Sequence, residues 1–223
     1  MSLRGKAVVA IWQDAPPETR AEYFEWHNRE HMLERVGIPG FLRGRRYCAL
    51  NGEPEFFTLY EAQSLEALTG ADYTGRLNNP SAWTRRVAPQ LRNNVRSLCS
   101  VALSLGPGVG GLVMTWRYDV ASGSEAAQRA LVETRLRELA NRKGIVGAHL
   151  CLGDLAASSV QTAEKKARAM KALTPGWVVI VEGAGDRAAL EDACAALLPA
   201  KALAEAGALD PACGLYQLQY QPG

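Results

Sequence analysis

Gly37-Ile38-Pro39-Gly40-Phe41 ends a helix and opens a strand, and Gly144-Ile145-Val146-Gly147 repeats the pattern later in the chain. A glycine just past a helical segment is a common stop signal, and the residues after it suit a strand. Around the first copy, Ala7 to Trp12 is a short apolar strand, and Pro16-Pro17 opens a helix of roughly five turns from Glu18. Leu42 to Leu50 and Glu55 to Glu61 are strands joined by the hairpin signal Asn51-Gly52-Glu53-Pro54. Ser64 caps a short helix, and Asn79-Pro80 is a cap followed by proline at the first helical position. Cys99, Val101, Leu103 and Leu105 alternate with small or polar residues, as a half-buried strand does.

Gly106 to Gly111 reads as a linker; it lacks the lysine and following helix of a phosphate loop. The order of elements then recurs. Leu112 to Tyr118 is a strand, Ser124 caps a helix to Lys143, and Trp177 to Glu182 resembles Phe56 to Glu61. A helix from Arg187 and a strand from Leu215 to Tyr220 complete the second round. Its main departure is Ser158 to Leu173, a basic helical insertion whose Lys165, Lys166 and Arg168 read as a solvated face. Two βαββαβ units, 1–106 and 107–223, each leave one apolar sheet face to bury. The expectation is an α+β fold: tandem ferredoxin-like units forming an intramolecular pseudo-dimeric α/β barrel. The alternative is a pair of such domains without sheet contact.

The composition, 48% hydrophobic and 22% charged with a net charge of +2, is that of a globular protein and suggests neither nucleic acid nor an anionic membrane as partner. The apolar run at Ala7 to Trp12 is too short for a signal-peptide core or a membrane span. Cys48, Cys99, Cys151, Cys194 and Cys213 are odd in number and form no CxxC pair, so a reduced, cytoplasmic protein is expected.

Glu30-His31-Met32-Leu33-Glu34-Arg35, Pro39-Gly40-Phe41, Arg45-Arg46-Tyr47 and Asn78 to Arg86 resemble the dimeric α/β-barrel superfamily. More narrowly they are similar to EthD-like bacterial proteins, most without an assigned activity. The resemblance covers about residues 5 to 105. It implies a pocket between the sheet and the helices of one unit, and a set of chemistries: cofactor-free monooxygenase, polyketide cyclase, isomerase, decarboxylase or haem enzyme.

Glu25 to Met32 places His27 and His31 one helical turn apart, on a face shared with Phe24. One neutral imidazole can take a proton while the other stabilises a developing oxyanion. Aligned on the glycine motifs, the pair falls opposite Thr134 and Glu138, so it is not repeated. Eleven of sixteen aromatic residues precede residue 106. Trp12, Phe24, Tyr60 and Trp83 among them are expected to wall a pocket for a small hydrophobic or aromatic molecule. Strand alternation sends Arg43 and Arg45 to one side and Arg46 to the other, making Arg46 the candidate anion contact; a solvated surface is the competing and favoured reading for the group. His149, in a strand between apolar neighbours, reads as structural.

His27, Glu30 and His31 also spell H-x-x-E-H, for which Glu34 or Glu61 could complete a zinc site, but the chain is short for that protease class. The best reading is a small-molecule enzyme using acid/base chemistry without a cofactor, with His31 and His27 catalytic. The alternatives are a non-catalytic binding protein for a hydrophobic metabolite, or a haem- or metal-dependent enzyme. Either a monomer or a homo-oligomer fits.

Overall fold

The computed structural model describes residues 3–167 and 173–223. The first half supplies β1 (Ala7–Asp14), β2 (Phe41–Asn51), β3 (Phe56–Ala62) and β4 (Arg92–Leu105). The second supplies β5 (Leu112–Val120), β6 (Ile145–Gly153), β7 (Trp177–Gly183) and β8 (Ala208–Tyr220). They close into one antiparallel barrel, β1-β3-β2-β8-β5-β7-β6-β4. The joints between halves are β2 with β8 and β4 with β6, so no sheet edge is left open. Two domains without sheet contact are thereby excluded.

Alternation along the strands sorts side chains between the barrel interior and the helix-covered outside. Val8, Ala10, Trp12, Phe57, Leu59, Cys99, Ile180 and Tyr216 fill the interior. Val9, Ile11 and Tyr60 face outward, under the helices. Burial on both faces explains why β1 and β3 are apolar almost throughout.

The arginines of β2 correct the solvated-surface expectation: Arg45 and Arg46 are both buried. Arg43 and Arg45 share a side, as alternation requires, and that side is the barrel interior. There Arg43 makes a bidentate contact with Glu61. Arg45 bridges Glu61 at 2.9 Å and Glu182 of the other half at 2.8 Å. His149 completes the cluster, with Nδ1 at 3.0 Å from Ser104 Oγ and Nε2 at 3.4 Å from Glu182. Burial alone would raise the Glu182 carboxyl, but the hydrogen bond from His149 and the charge of Arg45 bring it down to about 2.

The helix on the first sheet comprises α1 (Arg20–Trp26), a π-turn (His27–His31) and α2 (Met32–Val36). The sheet's other cover is α3 (Leu65–Thr69), α4 (Ala71–Asn78) and α5 (Ala82–Val87). Asn79 ends α4, and Ser81 caps α5 by accepting from Thr84 N at 2.9 Å, so the cap lies two residues beyond the expected one. On the second sheet lie α6 (Glu125–Ala140), α9 (Arg187–Leu197) and α10 (Ala200–Glu205), with α7 (Leu155–Ser159) and α8 (Ala163–Ala167) before β7. Ser124 precedes α6 without a side-chain cap bond.

Gly40 and Gly144, with φ of 87° and 84°, are the equivalent helix exits. The last glycine of the first motif therefore matches the first glycine of the second. Aligned this way, His27 falls opposite Leu131 and His31 opposite Arg135, which corrects the sequence register and leaves the pair unrepeated.

The insertion also departs from expectation. Its described part folds onto the first half: Leu98 N donates to Ser158 Oγ at 3.0 Å, and Ala163 N to Asn78 Oδ1 at 3.0 Å. Glu164 is buried in an ion pair with Arg35 of α2, and Lys165 Nζ donates to the Ser158 carbonyl. Arg168 lies outside the described residues.

Candidate functional site

The π-turn coincides with the histidine pair. Such turns add a residue to a helical loop and are frequent at functional sites. His27 and His31 are 2% and 5% exposed, their ring centroids 5.6 Å apart. His31 packs on Trp26 at 4.2 Å, and the Trp26 indole N–H is tied to Thr84 of α5 at 3.1 Å. His27 Nδ1 lies 3.1 Å from an Arg46 guanidinium nitrogen. A guanidinium has no acceptor, so Arg46 donates and Nδ1 accepts, which makes His27 a neutral imidazole with its proton on Nε2.

Arg46 reaches this position because β2 sends it outward while Arg45 goes inward. Its guanidinium lies over Tyr23, Phe24 and Tyr220, at 5.5, 5.0 and 5.5 Å from the ring centroids. Its Nε donates to Gln219 Oε1 at 2.8 Å. Burial lowers its pKa from the usual arginine value against the opposing pull of the nearby tyrosines. Tyr220 OH donates to the Asn28 carbonyl at 2.9 Å, so the end of β8 clasps the π-turn.

The structure thus brings together His27, His31, Arg46 and Phe24, with half-buried Trp83 packed against the same aromatic cluster. Tyr60 lies on the same sheet face but groups with Phe41 and Tyr73. Its buried hydroxyl has no hydrogen-bond partner, and burial raises its pKa far above the ordinary phenol value. Trp12 is not part of the group. Its side chain is inside the barrel, stacked on Phe57 at 4.8 Å, with its N–H given to Thr115 at 3.3 Å. Its neighbour Gln13 faces the helices instead, at 3.5 Å from Tyr23 OH and 3.4 Å from Asn94. Sequence reasoning passed over Gln13, Tyr23, Asn94, Gln219 and Tyr220. Only Tyr23, one turn before His27, carried a local signal.

A cavity of about 90 Å³ lies between α3–α4, the outer face of β4 and the insertion. A second, of about 250 Å³, sits at one barrel end beside Asp14, Pro54, Asn93 and Arg117. No described histidine or cysteine, the donors haem iron takes most often, lines either cavity. The imidazoles themselves are covered by Trp26 and Arg46. The carboxylates that could complete a zinc site are engaged elsewhere. Glu30 accepts from Ser81 Oγ, Glu34 lies beside Arg35, and Glu61 is inside the barrel. No group of three or more metal-ligating side chains exists among the described residues. No described helix is long and apolar enough to cross a membrane.

No protein-family model matches the chain, and no curated protein matches it. Solved structures do. An anthrone oxidase-like protein superposes with a TM-score of 0.64 at 13% identity, over 100% of this chain and 95% of that one. A candidate monooxygenase from Fusobacterium nucleatum gives 0.59 at 11%, over 99% and 96%. Another from Lactobacillus acidophilus gives 0.57 at 11%, over 97% and 95%. At these identities the likeness establishes the fold alone: a closed α+β barrel of the dimeric α/β-barrel type, with both halves on one polypeptide.

Proposed function

We propose that the protein is a small-molecule enzyme that removes a proton from an activated carbon of an aromatic or polyketide-like compound, without a cofactor. The observation that carries this reading is the Arg46–His27 contact. It supports a His27 that donates through Nε2, and in this reading His31, its ring 5.6 Å away, is the base. In the step, the C–H bond breaks and its proton passes to His31. The electron pair moves onto the conjugated carbonyl oxygen, where His27 Nε2–H stabilises the charge. Phe24 and Trp83, both only half-buried, are the side chains that would have to move aside for a substrate to reach the imidazoles. Support also comes from an anthrone oxidase-like protein and two candidate monooxygenases sharing the fold, although a fold alone does not set a reaction. A binding role without turnover is the second reading, favoured by the low exposure of both imidazoles.

Anthrone is the test compound. Exchange of its acidic methylene protons, followed by NMR in D₂O under nitrogen, is expected to be accelerated by the protein. His31→Gln should lower that rate about 100-fold or more with an unchanged melting temperature. Anthrone bound but exchanged no faster than in buffer favours the binding role. An unimpaired His31→Gln variant overturns the assignment of the base.

A further inference from the structure

The cavity beneath the insertion is built from both halves of the chain. Tyr73 and Leu77 of α4 and Leu98 of β4 give it an apolar wall, and Val160 and Lys165 of the insertion close it. The closing segment is anchored to the sheet, since Leu98 N donates to Ser158 Oγ and Asp154 N donates to Leu98 O at 2.8 Å. Glu164 is paired with buried Arg35, and Lys165 donates to the Ser158 carbonyl. Arg96 on β4 meets the Tyr73 hydroxyl at 2.9 Å and pairs with no carboxylate among the described residues. Having accepted from Arg96, the Tyr73 hydroxyl keeps its own proton to donate.

We infer that this cavity binds a small organic anion with a slender apolar body, its carboxylate held by the Arg96 guanidinium and the Tyr73 hydroxyl. Arginine presents paired donors matched to a carboxylate, and such bonds are about twice as strong as neutral ones. A volume of about 90 Å³ suits a chain of about four carbons and excludes a macrocycle. The site is separate from the imidazole pair and does not depend on its chemistry.

Isothermal titration with butyrate, 1-butanol and butylammonium tests the inference on the full chain. Butyrate is expected to bind at least ~10-fold more tightly than butanol, a difference of about 1.4 kcal/mol, and butylammonium more weakly than either. Arg96→Met should erase the preference for butyrate, and Arg96→Lys should restore part of it. Tyr73→Phe, which removes only the hydroxyl, should weaken butyrate a few-fold and leave butanol unchanged. Leu77→Trp, which fills the cavity, should abolish binding of both. His31→Gln should bind butyrate as the parent does, so failure of the proton-transfer reading and failure of this one are distinct results. Equal affinity for butyrate and butanol, tighter binding of butylammonium, no saturable heat with butyrate, or a preference that survives Arg96→Met would each overturn it.

Discussion

At His27 a single contact decides a protonation state. Because the Arg46 guanidinium can only donate, the Nδ1 at 3.1 Å must be the lone-pair nitrogen. At neutral pH the ¹⁵N shifts of His27 should therefore report a proton held on Nε2, and Arg46→Met should bring the two nitrogens toward averaged values. Averaged shifts in the parent protein would sink the tautomer and with it the division of roles. The histidines were legible in sequence because residues four apart share a helix face, and Arg46 because its strand neighbours alternate. Trp12 was not legible, since periodicity says that two faces differ without saying which one meets the helices. Gln219 and Tyr220 were out of reach because the pairing that brings them to Arg46 is long-range. Burial of Arg45 was missed for a related reason. Its counter-charges, Glu61 and Glu182, come from two other strands, one of them in the opposite half.

Among the elements, the two helix exits offer a matched comparison. Gly40 and Gly144 both adopt positive φ, where an L-residue costs about 1–2 kcal/mol. A methyl group on Gly40 would also sit 2.7 Å from Ala67 Cβ of α3, whereas one on Gly144 meets nothing within 4 Å. Gly40→Ala should thus lower the urea midpoint more than Gly144→Ala; an equal or reversed order would show that α3 is free to move aside. The helices keep other traces of repetition. Gln13 of β1 meets Tyr23 of α1 at 3.5 Å, and Tyr118 of β5 meets Gln128 of α6 at 3.0 Å, the same contact with strand and helix partners exchanged. Element order was readable from hydrophobic periodicity and turn residues. The placement of the insertion was not, because a segment with lysines on its surface gives no sign that Glu164 is buried against Arg35.

For the molecule as a whole, the ion cluster inside the barrel couples the halves and sets their response to acid. Glu182, with an ordinary value of 4.5, is held at about 2 in the folded protein. A depressed carboxyl stabilises the fold fully above its unfolded value and loses that contribution as pH falls through the folded one. Unfolding free energy should therefore decline between about pH 4.5 and 2. Glu182→Gln should flatten the decline while lowering stability at neutral pH, where Arg45 loses a partner. An unchanged acid slope in Glu182→Gln would assign the transition to other carboxylates. The tandem order of units was visible in the repeated glycines, but barrel closure needed the pairings of β2 with β8 and β4 with β6. Covalent linkage of the halves has a further consequence. A symmetric pair of identical subunits inherits every substitution in duplicate, so an appendage that shelters one sheet must shelter both. Here the segment after β6 exists once, reaches across to the neighbouring sheet and has no counterpart after β2, so each half is free to acquire its own task without altering its twin.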